Sequence, residues 1–476
     1  MNAELIIALP EITLVVLACM VLIIEAFNND PQHTLTYWTA QASLLITLVL
    51  VFINCPGEAT IVFNGGFISD AMSSILKAFM CGISFIVFLY SYEYLKEHQS
   101  LKGEYFVLGL FAVLGMMIMA SAASLLSVYL GLELLSLSLY AMVAMQRDSE
   151  SASEAAMKYF ILGALASGML LYGISMIYGL TGHLQLAEIA QAVASDSINR
   201  SFLVFGMIFL IIGMAFKLGA APFHMWVPDV YQGAPTCVTL FISTAPKLAA
   251  FAMGIRLLVD GLLPLVSDWQ SILMVLAVLS MGVGNVIAIA QTNIKRMLAY
   301  STIAHVGFLF LGFIAGTEAG FSGSMFYIIS YALMSMGAFG MIILLGRNGF
   351  EAEMLDDFKG LSERSPWFAF VMLCIMFSMA GVPPFLGFWS KWFVLKEVVS
   401  SGYVSLAAIA VVFSIIGAYY YLRIVKLMYF DKAESMTAIK SSKQMRMVLS
   451  VNGMAILLLG LAPNALMALC IAALAG

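Results

Sequence analysis

Phe216-Lys217-Leu218-Gly219-Ala220-Ala221-Pro222-Phe223-His224-Met225-Trp226 sets a lysine, a glycine and a proline inside an apolar run that extends over residues 202–231. An ionisable group in hydrocarbon is costly, so a chain keeps one there where it lines a polar interior. Proline has no N–H, so Pro222 leaves the carbonyl of Leu218 without its helical donor. A helix interrupted at membrane depth is tolerated where the open backbone is buried in protein or lines a wet cavity. The negative end of the first half-helix then favours a nearby cation such as Lys217. The same G-x-x-P-F pattern returns in Gly381-Val382-Pro383-Pro384-Phe385, where Pro384 leaves the carbonyl of Ala380 free and Lys391 follows. An ordinary proline kink explains one such site alone more easily than both.

The rest of the chain fits this setting. Of its 476 residues, 62% are hydrophobic and 10% charged, which is too apolar for a soluble globule and too long for one span. A helix needs roughly 20 residues to cross about 30 Å of hydrocarbon. On that ruler the chain is all-α, a polytopic membrane protein of about fourteen helices. Their expected positions are 5–27, 35–53, 70–90, 105–121, 124–144, 155–179, 202–231, 235–258, 271–291, 300–316, 322–345, 367–398, 403–428 and 447–471. The first run lacks a basic leader and a small-residue cleavage site, and is read as a retained span.

The net charge of −5 is spread over loops, which gives no sign of nucleic acid as a partner. The six cysteines, Cys19, Cys55, Cys81, Cys237, Cys374 and Cys470, are scattered without metal or cluster spacing. No glycine-rich dinucleotide loop or phosphate loop is present. Redox chemistry is therefore expected on other chains, with no cofactor or metal here.

Basic residues set the orientation. Lys96, Lys102, Arg147, Lys295, Arg296, Arg347, Lys359, Arg364, Arg423, Lys426, Lys432, Lys440, Lys443 and Arg446 fall on one side, against Arg200, Arg256 and Lys396 on the other. Both termini are then expected outside.

Spans 4–8 and 9–13 can be taken as two repeats of five. Each interrupted helix is then the fourth of its repeat, and an odd number of helices inverts one repeat relative to the other. The expected divisions are 1–104, a three-span segment; 105–258 and 259–430, the two repeats; and 431–476, a loop and the last span. Glu133, Lys217 and Lys247 lie near the middles of their spans. A lysine buried there loses much of its hold on a proton, and a neighbouring carboxylate restores it. Lys391 is placed about 13 Å from the middle of its span, toward the outer face. Lys158, near the inner face, can relay protons or simply snorkel. His224 and His305, also placed toward the inner side, suit either structural hydrogen bonding or a proton relay. Lys77 is expected to snorkel.

The motifs resemble those of the antiporter-like subunits of respiratory complex I. Phe216-Lys217-Leu218-Gly219 with Pro222-Phe223-His224-Met225-Trp226-Val227-Pro228-Asp229 is similar to their signature, and its P-F-H-x-W-x-P-D part is shared with the related L and M subunits and with Mrp-type cation/proton antiporters. Its continuation, Val230-Tyr231-Gln232-Gly233-Ala234-Pro235, points to the N-type subunits, counterparts of mitochondrial subunit 2. Gly131-Leu132-Glu133-Leu134, Glu154-Ala155-Ala156-Met157-Lys158-Tyr159 and Gln291–Ser301 with His305 match as well. The resemblance spans essentially the whole chain. It implies a Glu133–Lys217 pair, Lys247 as central relay and Lys391 leading to the outer side. It also implies NADH, FMN, iron–sulfur clusters and quinone on partner chains, with the M and K subunits and the lateral helix of L as neighbours in a bacterial inner membrane. A free-standing cation/proton antiporter would use the same lysines, and a non-conducting scaffold would need them only for packing.

Overall fold

The computed structural model describes residues 3–195, 198–346, 350–433, 439 and 441–475; Arg347 and Lys440, used above for orientation, lie outside them. The described chain is built from fourteen membrane-crossing segments. Eleven of them are Leu9–Phe27, Thr34–Ile53, Ala71–Glu97, Glu104–Ala120, Leu125–Val143, Glu150–Thr181, Val266–Ile289, Ile294–Ala315, Glu318–Leu345, Val404–Phe430 and Lys443–Leu461 continued by Pro463–Leu474. They are spans 1–6, 9–11, 13 and 14 in chain order. Span 7 is split into Arg200–Leu218 and Trp226–Gly233, and span 12 into Pro366–Ala380 and Leu386–Ser400. Span 8 is Thr236–Ile242, Ala245–Gly254 and a π-helical turn, Ile255–Gly261.

Both expected interruptions are present. A third, at Ser243–Thr244 in span 8, was not foreseen, although Pro246 supplies the same physical cause by removing an N–H from the first turn of the next helix. Polar caps fix several helix starts. Ser124 accepts from Ser127 N, Asn293 from Arg296 N and Thr317 from Gly320 N, which satisfies donors that a helix cannot satisfy itself.

Burial separates the spans. The apolar stretches of spans 8 and 10 are wholly inside the protein and that of span 11 is 94% so, whereas span 1 is only 28% buried. Spans 8, 10 and 11 therefore form the centre. A helix that is apolar on every side and enclosed by others presents nothing to lipid.

The two halves repeat in detail. At the start of span 5, Leu125 N donates to Leu184 O and Leu186 N to Ala123 O, both at 2.9 Å, tying it to the segment after span 6. At the start of span 10, Ile294 N donates to Glu353 O at 2.7 Å and Leu355 N to Thr292 O at 2.9 Å, tying it to the segment after span 11. Spans 5 and 10 each stand second in their five-span unit, so equivalent helices run in opposite directions.

Two expectations are corrected. Lys77 does not snorkel: it is buried and paired with Glu11 at 2.5 Å, because span 1 packs its own carboxylate against it. Arg256 is not a loop charge. It lies in the π turn, 3% exposed, where it donates to Asp70, Asp260 and the carbonyl of Ala120. The segment after span 2 holds a short hairpin, Thr60–Val62 against Phe67–Ser69, which Ile68 N ties to Ser121 O at 2.8 Å.

Candidate functional site

Helix Arg200–Leu218 ends because Gly219 turns to φ +87°, a left-handed conformation that only glycine adopts without strain. Gly219 N and Ala220 N close back onto Ala215 O, which caps part of the helix end. Pro222 then prevents resumption, and the backbone between 219 and 225 stays open. The carbonyl of Leu218, free by sequence, is taken by the ammonium of Lys247 at 2.8 Å. Lys247 comes from span 8, two residues beyond the start of its second helix, and lies 5.3 Å from the Trp226 ring.

The second break follows the same plan. Gly381 also has φ +87°, and Gly381 N and Val382 N close onto Phe377 O. Both interruptions carry a cis proline, at Ala221–Pro222 and Pro383–Pro384. Lys391 donates to Ala380 O and to Ser414 Oγ, each at 2.9 Å, and sits 5.1 Å from the Phe308 ring. Its ammonium is therefore at the level of the break rather than displaced outward as a continuous helix would place it, because the side chain reaches back eleven residues.

Lys217 occupies the last turn of its half-helix and donates to Ser136 Oγ at 2.8 Å. Among the described residues no ion pair joins it to Glu133. Glu133, one turn before Ser136 on span 5, accepts a hydrogen bond from Ser167 of span 6. The two charged groups thus share one region of spans 5–7 with Ser136 between them, and Glu133 remains within electrostatic reach of Lys217.

His305 lies at the middle of span 10, not near its inner end, because Asn293 starts that helix six residues earlier than hydropathy alone suggests. Its Nδ1 meets Tyr327 Oη at 2.6 Å and its Nε2 meets Tyr421 Oη at 3.0 Å; Tyr421 in turn bonds Ser301 Oγ at 2.5 Å. Spans 10, 11 and 13 are thereby joined by a buried chain of groups that can both donate and accept. Phe308, one turn beyond His305, carries the ring that faces Lys391.

Lys158 is 43% exposed and bridges Asp229 at 2.8 Å and Glu154 at 2.7 Å, while Arg296 holds the other oxygen of Asp229 at 2.8 Å. These groups line a cleft of about 420 Å³. His224 is half-buried at the first break, and its Nδ1 has no hydrogen-bond partner.

The structure thus gathers Glu133, Lys217 and Lys247 about one break, sets Lys391 at the other, centres His305 between tyrosines and leaves Lys158 at a charged mouth. Sequence reasoning missed Ser136, Tyr327 and Tyr421, since hydroxyls in apolar spans are common and their partners are far away in the chain. Among the described residues no cluster of histidine, cysteine, aspartate or glutamate could hold a metal ion.

Residues 122–417 match the family model described as NADH:quinone oxidoreductase/Mrp antiporter, transmembrane. The chain is 57% identical to NADH-quinone oxidoreductase subunit N of Thioalkalivibrio sulfidiphilus, over 97% of this chain and 96% of that one. It is 52% identical to the subunit N of Nitrosomonas europaea, covering 98% and 97%. Among solved structures, it superposes on a chain of respiratory complex I from Thermus thermophilus with TM-score 0.82 at 30% identity, covering 96% and 98%. A chain of the Mrp complex from Dietzia shares the fold, with TM-score 0.87 at 19% identity over 100% and 97%. Two lysine-capped helix breaks and this span of similarity converge: the chain belongs to the NADH:quinone oxidoreductase/Mrp antiporter membrane family, in its subunit N group.

Proposed function

We propose that this chain carries protons across a bacterial inner membrane as the N subunit of a proton-translocating NADH:quinone oxidoreductase. The observation that carries this reading is the pair of helix breaks, each with one freed carbonyl held by a buried lysine. Residues 105–258 and 259–430 form the two half-pathways, flanked by 1–104 and 431–476. Both termini lie on the periplasmic side. NADH, FMN, iron–sulfur clusters and quinone belong to partner chains, and the M and K subunits and the lateral helix of L are the expected neighbours.

The proton wire runs through Lys217, Lys247 and Lys391. With the Glu133 carboxylate ionised nearby, Lys217 keeps its charge. When that carboxylate is drawn away or neutralised, the buried ammonium loses its counter-charge and passes a proton on through water toward Lys247. The His305–tyrosine chain of spans 10, 11 and 13 lies on the Lys391 side, and water joins it to the two lysines. Lys158 serves the mouth, and His224 joins only through water. Quinone reduction in the partner subunits supplies the trigger.

Lys247→Arg tests this reading. A guanidinium keeps the charge but does not release its proton. The assembled complex, in vesicles, is expected to lose proton transfer coupled to quinone reduction; unchanged pumping would make Lys247 a static counter-charge. Cation exchange by the purified chain alone would favour the free-standing antiporter instead.

A further inference from the structure

Behind the charged mouth lies a cluster that the relay does not use. Lys295, at the start of span 10, is 1% exposed, and its ammonium donates to Glu353 Oε1 at 2.8 Å and to the carbonyl of Ala234 at 2.9 Å. Glu351 Oε2 stands 3.4 Å away. Both glutamates belong to the segment between spans 11 and 12 and share the Lys295 ammonium. Each side chain retains about a quarter of its exposure, 23% and 28%, and both line the cleft. One end of the cluster is therefore wet.

The other end is dry. Glu351 accepts from Tyr94 Oη of span 3 and from Thr236 Oγ1 at 2.9 Å. Thr236 is the first residue of span 8, where hydroxyls recur at Thr239, Ser243 and Thr244 before Lys247. Thr236, Thr239 and Ser243 lie along one side of the first helix of span 8, Thr239 and Ser243 bonded to the carbonyls of Tyr231 and Leu240, and Lys247 follows in the first turn of the helix after the interruption. All four are at most 2% exposed.

We propose that Glu353 and Glu351, held by Lys295, take protons from the aqueous cleft and load them onto the hydroxyl side of span 8 that leads to Lys247. The inference rests on the relay reading above. Glu353 accepts a proton from cleft water and shares it with Glu351. When Glu351 gives it up, the Thr236 hydroxyl, which donates to Glu351 at rest, turns to accept it and passes its own proton to a water on the Lys247 side, which hands one on toward Lys247, so no net charge stays on the hydroxyl. Lys295 keeps the two carboxylates together and stops the ionised pair from repelling itself apart.

The electrostatics suit two different tasks. Burial raises both carboxyls; at Glu351 the Lys295 charge, with the hydrogen bonds from Tyr94 and Thr236, outweighs it and holds the group below its ordinary value, while Glu353 is raised above its own. Neighbouring carboxyls pushed apart in this way can divide the work, with Glu353 taking and holding the proton and Glu351 carrying it only in transit to Thr236. The charges that face the pair are Lys295 and Arg296 from span 10, Asp229 from span 7, Lys158 and Glu154 from span 6, with the Tyr94 hydroxyl from span 3.

The test uses the whole complex in vesicles, measuring proton transfer per quinone reduced across a pH series. Glu353→Gln keeps the size of the side chain and an acceptor for Lys295 but cannot take up a proton. It is expected to lose coupled transfer together with the pH step that this carboxyl contributes, and Glu353→Asp is expected to restore both. Thr236→Val, which removes the hydroxyl without touching charge, should show the same loss and Thr236→Ser should recover it; this pair decides the matter if the glutamine variant does not assemble. Wild-type transfer and pH profile in either Glu353→Gln or Thr236→Val overturn the proposal. Lys247→Arg in the same vesicles separates the failures: if it abolishes transfer, only the loading role falls, and if it too is silent, the relay reading falls with it.

Discussion

The two helix breaks share their backbone and differ in what surrounds them. Gly219 and Gly381 have the same φ, and each is preceded by a residue whose carbonyl receives a lysine. Yet Lys247 arrives from the next span, 29 residues along, and Lys391 from the second half of the same broken helix, 11 residues along. The lysines are thus not repeats of one another. Different elements deliver the same cation to the same kind of freed acceptor, because a helix end buried in protein demands a donor.

The surroundings differ further. The first break has Lys217, Ser136 and Glu133 beside it, so a change of charge can act there. The second has hydroxyls from Ser414, Tyr327, Tyr421 and Ser301 about His305 and Lys391, and no carboxylate among the groups that bond them. On the proposed relay, the first half holds the switch and the second the conducting path.

Removing the lysine from either break has the largest expected effect. Lys391→Ala leaves Ala380 O without its donor, a cost of about 1–3 kcal/mol, and is expected to abolish proton transfer in vesicles while the complex still assembles. Retained transfer would break the equivalence of the two sites.

Lys217→Ala separates them. Only the first half has this extra cation, so quinone reductase activity and pumping should fall together in the assembled complex. Normal turnover with normal proton yield would make the group structural.

The glycines sharpen the contrast. An alanine Cβ at 381 would meet Lys391 Cδ at 3.0 Å and its Nζ at 3.2 Å, whereas at 219 it would meet Val227 Cγ2 at 2.7 Å, with Lys247 Nζ at 3.9 Å. Both substitutions carry the left-handed penalty of about 1–2 kcal/mol. Gly381→Ala is expected to lose proton yield, and Gly219→Ala to lose mainly thermal stability; reversed outcomes would mean that the lysine's seat at the second break is unimportant. The smallest effect is expected from Glu133→Gln, which keeps an acceptor for Ser167 and removes only the charge: coupled transfer should slow, to a lesser degree than in Lys217→Ala.

Much of this was legible in the chain itself. The apolar runs near 20 residues, the missing N–H groups at Pro222 and Pro384 and the rarity of lysine in such runs are local facts. They sufficed for an all-α membrane fold with two interrupted helices, and they singled out Leu218 and Ala380 as residues with free carbonyls. Lys77 misled because snorkelling is the default for a lysine near a span end, and only the packing of span 1 brought Glu11 to it. His305 was set too near the inner face because hydropathy does not count Asn293 and Lys295 as helix, while the cap and the buried ion pair do.

What the sequence by itself determined were the helices, their breaks and which residues could not be lipid-facing without cost, since these follow from covalent chemistry and from the price of a charge in hydrocarbon. Only the tertiary structure decided which lysine meets which carbonyl, that Ser136 rather than Glu133 bonds Lys217, and that Glu351, Glu353 and Thr236 converge on Lys295. Those contacts join groups tens to hundreds of residues apart, and side-chain bonds of that kind depend on how helices cross, which no local spacing encodes.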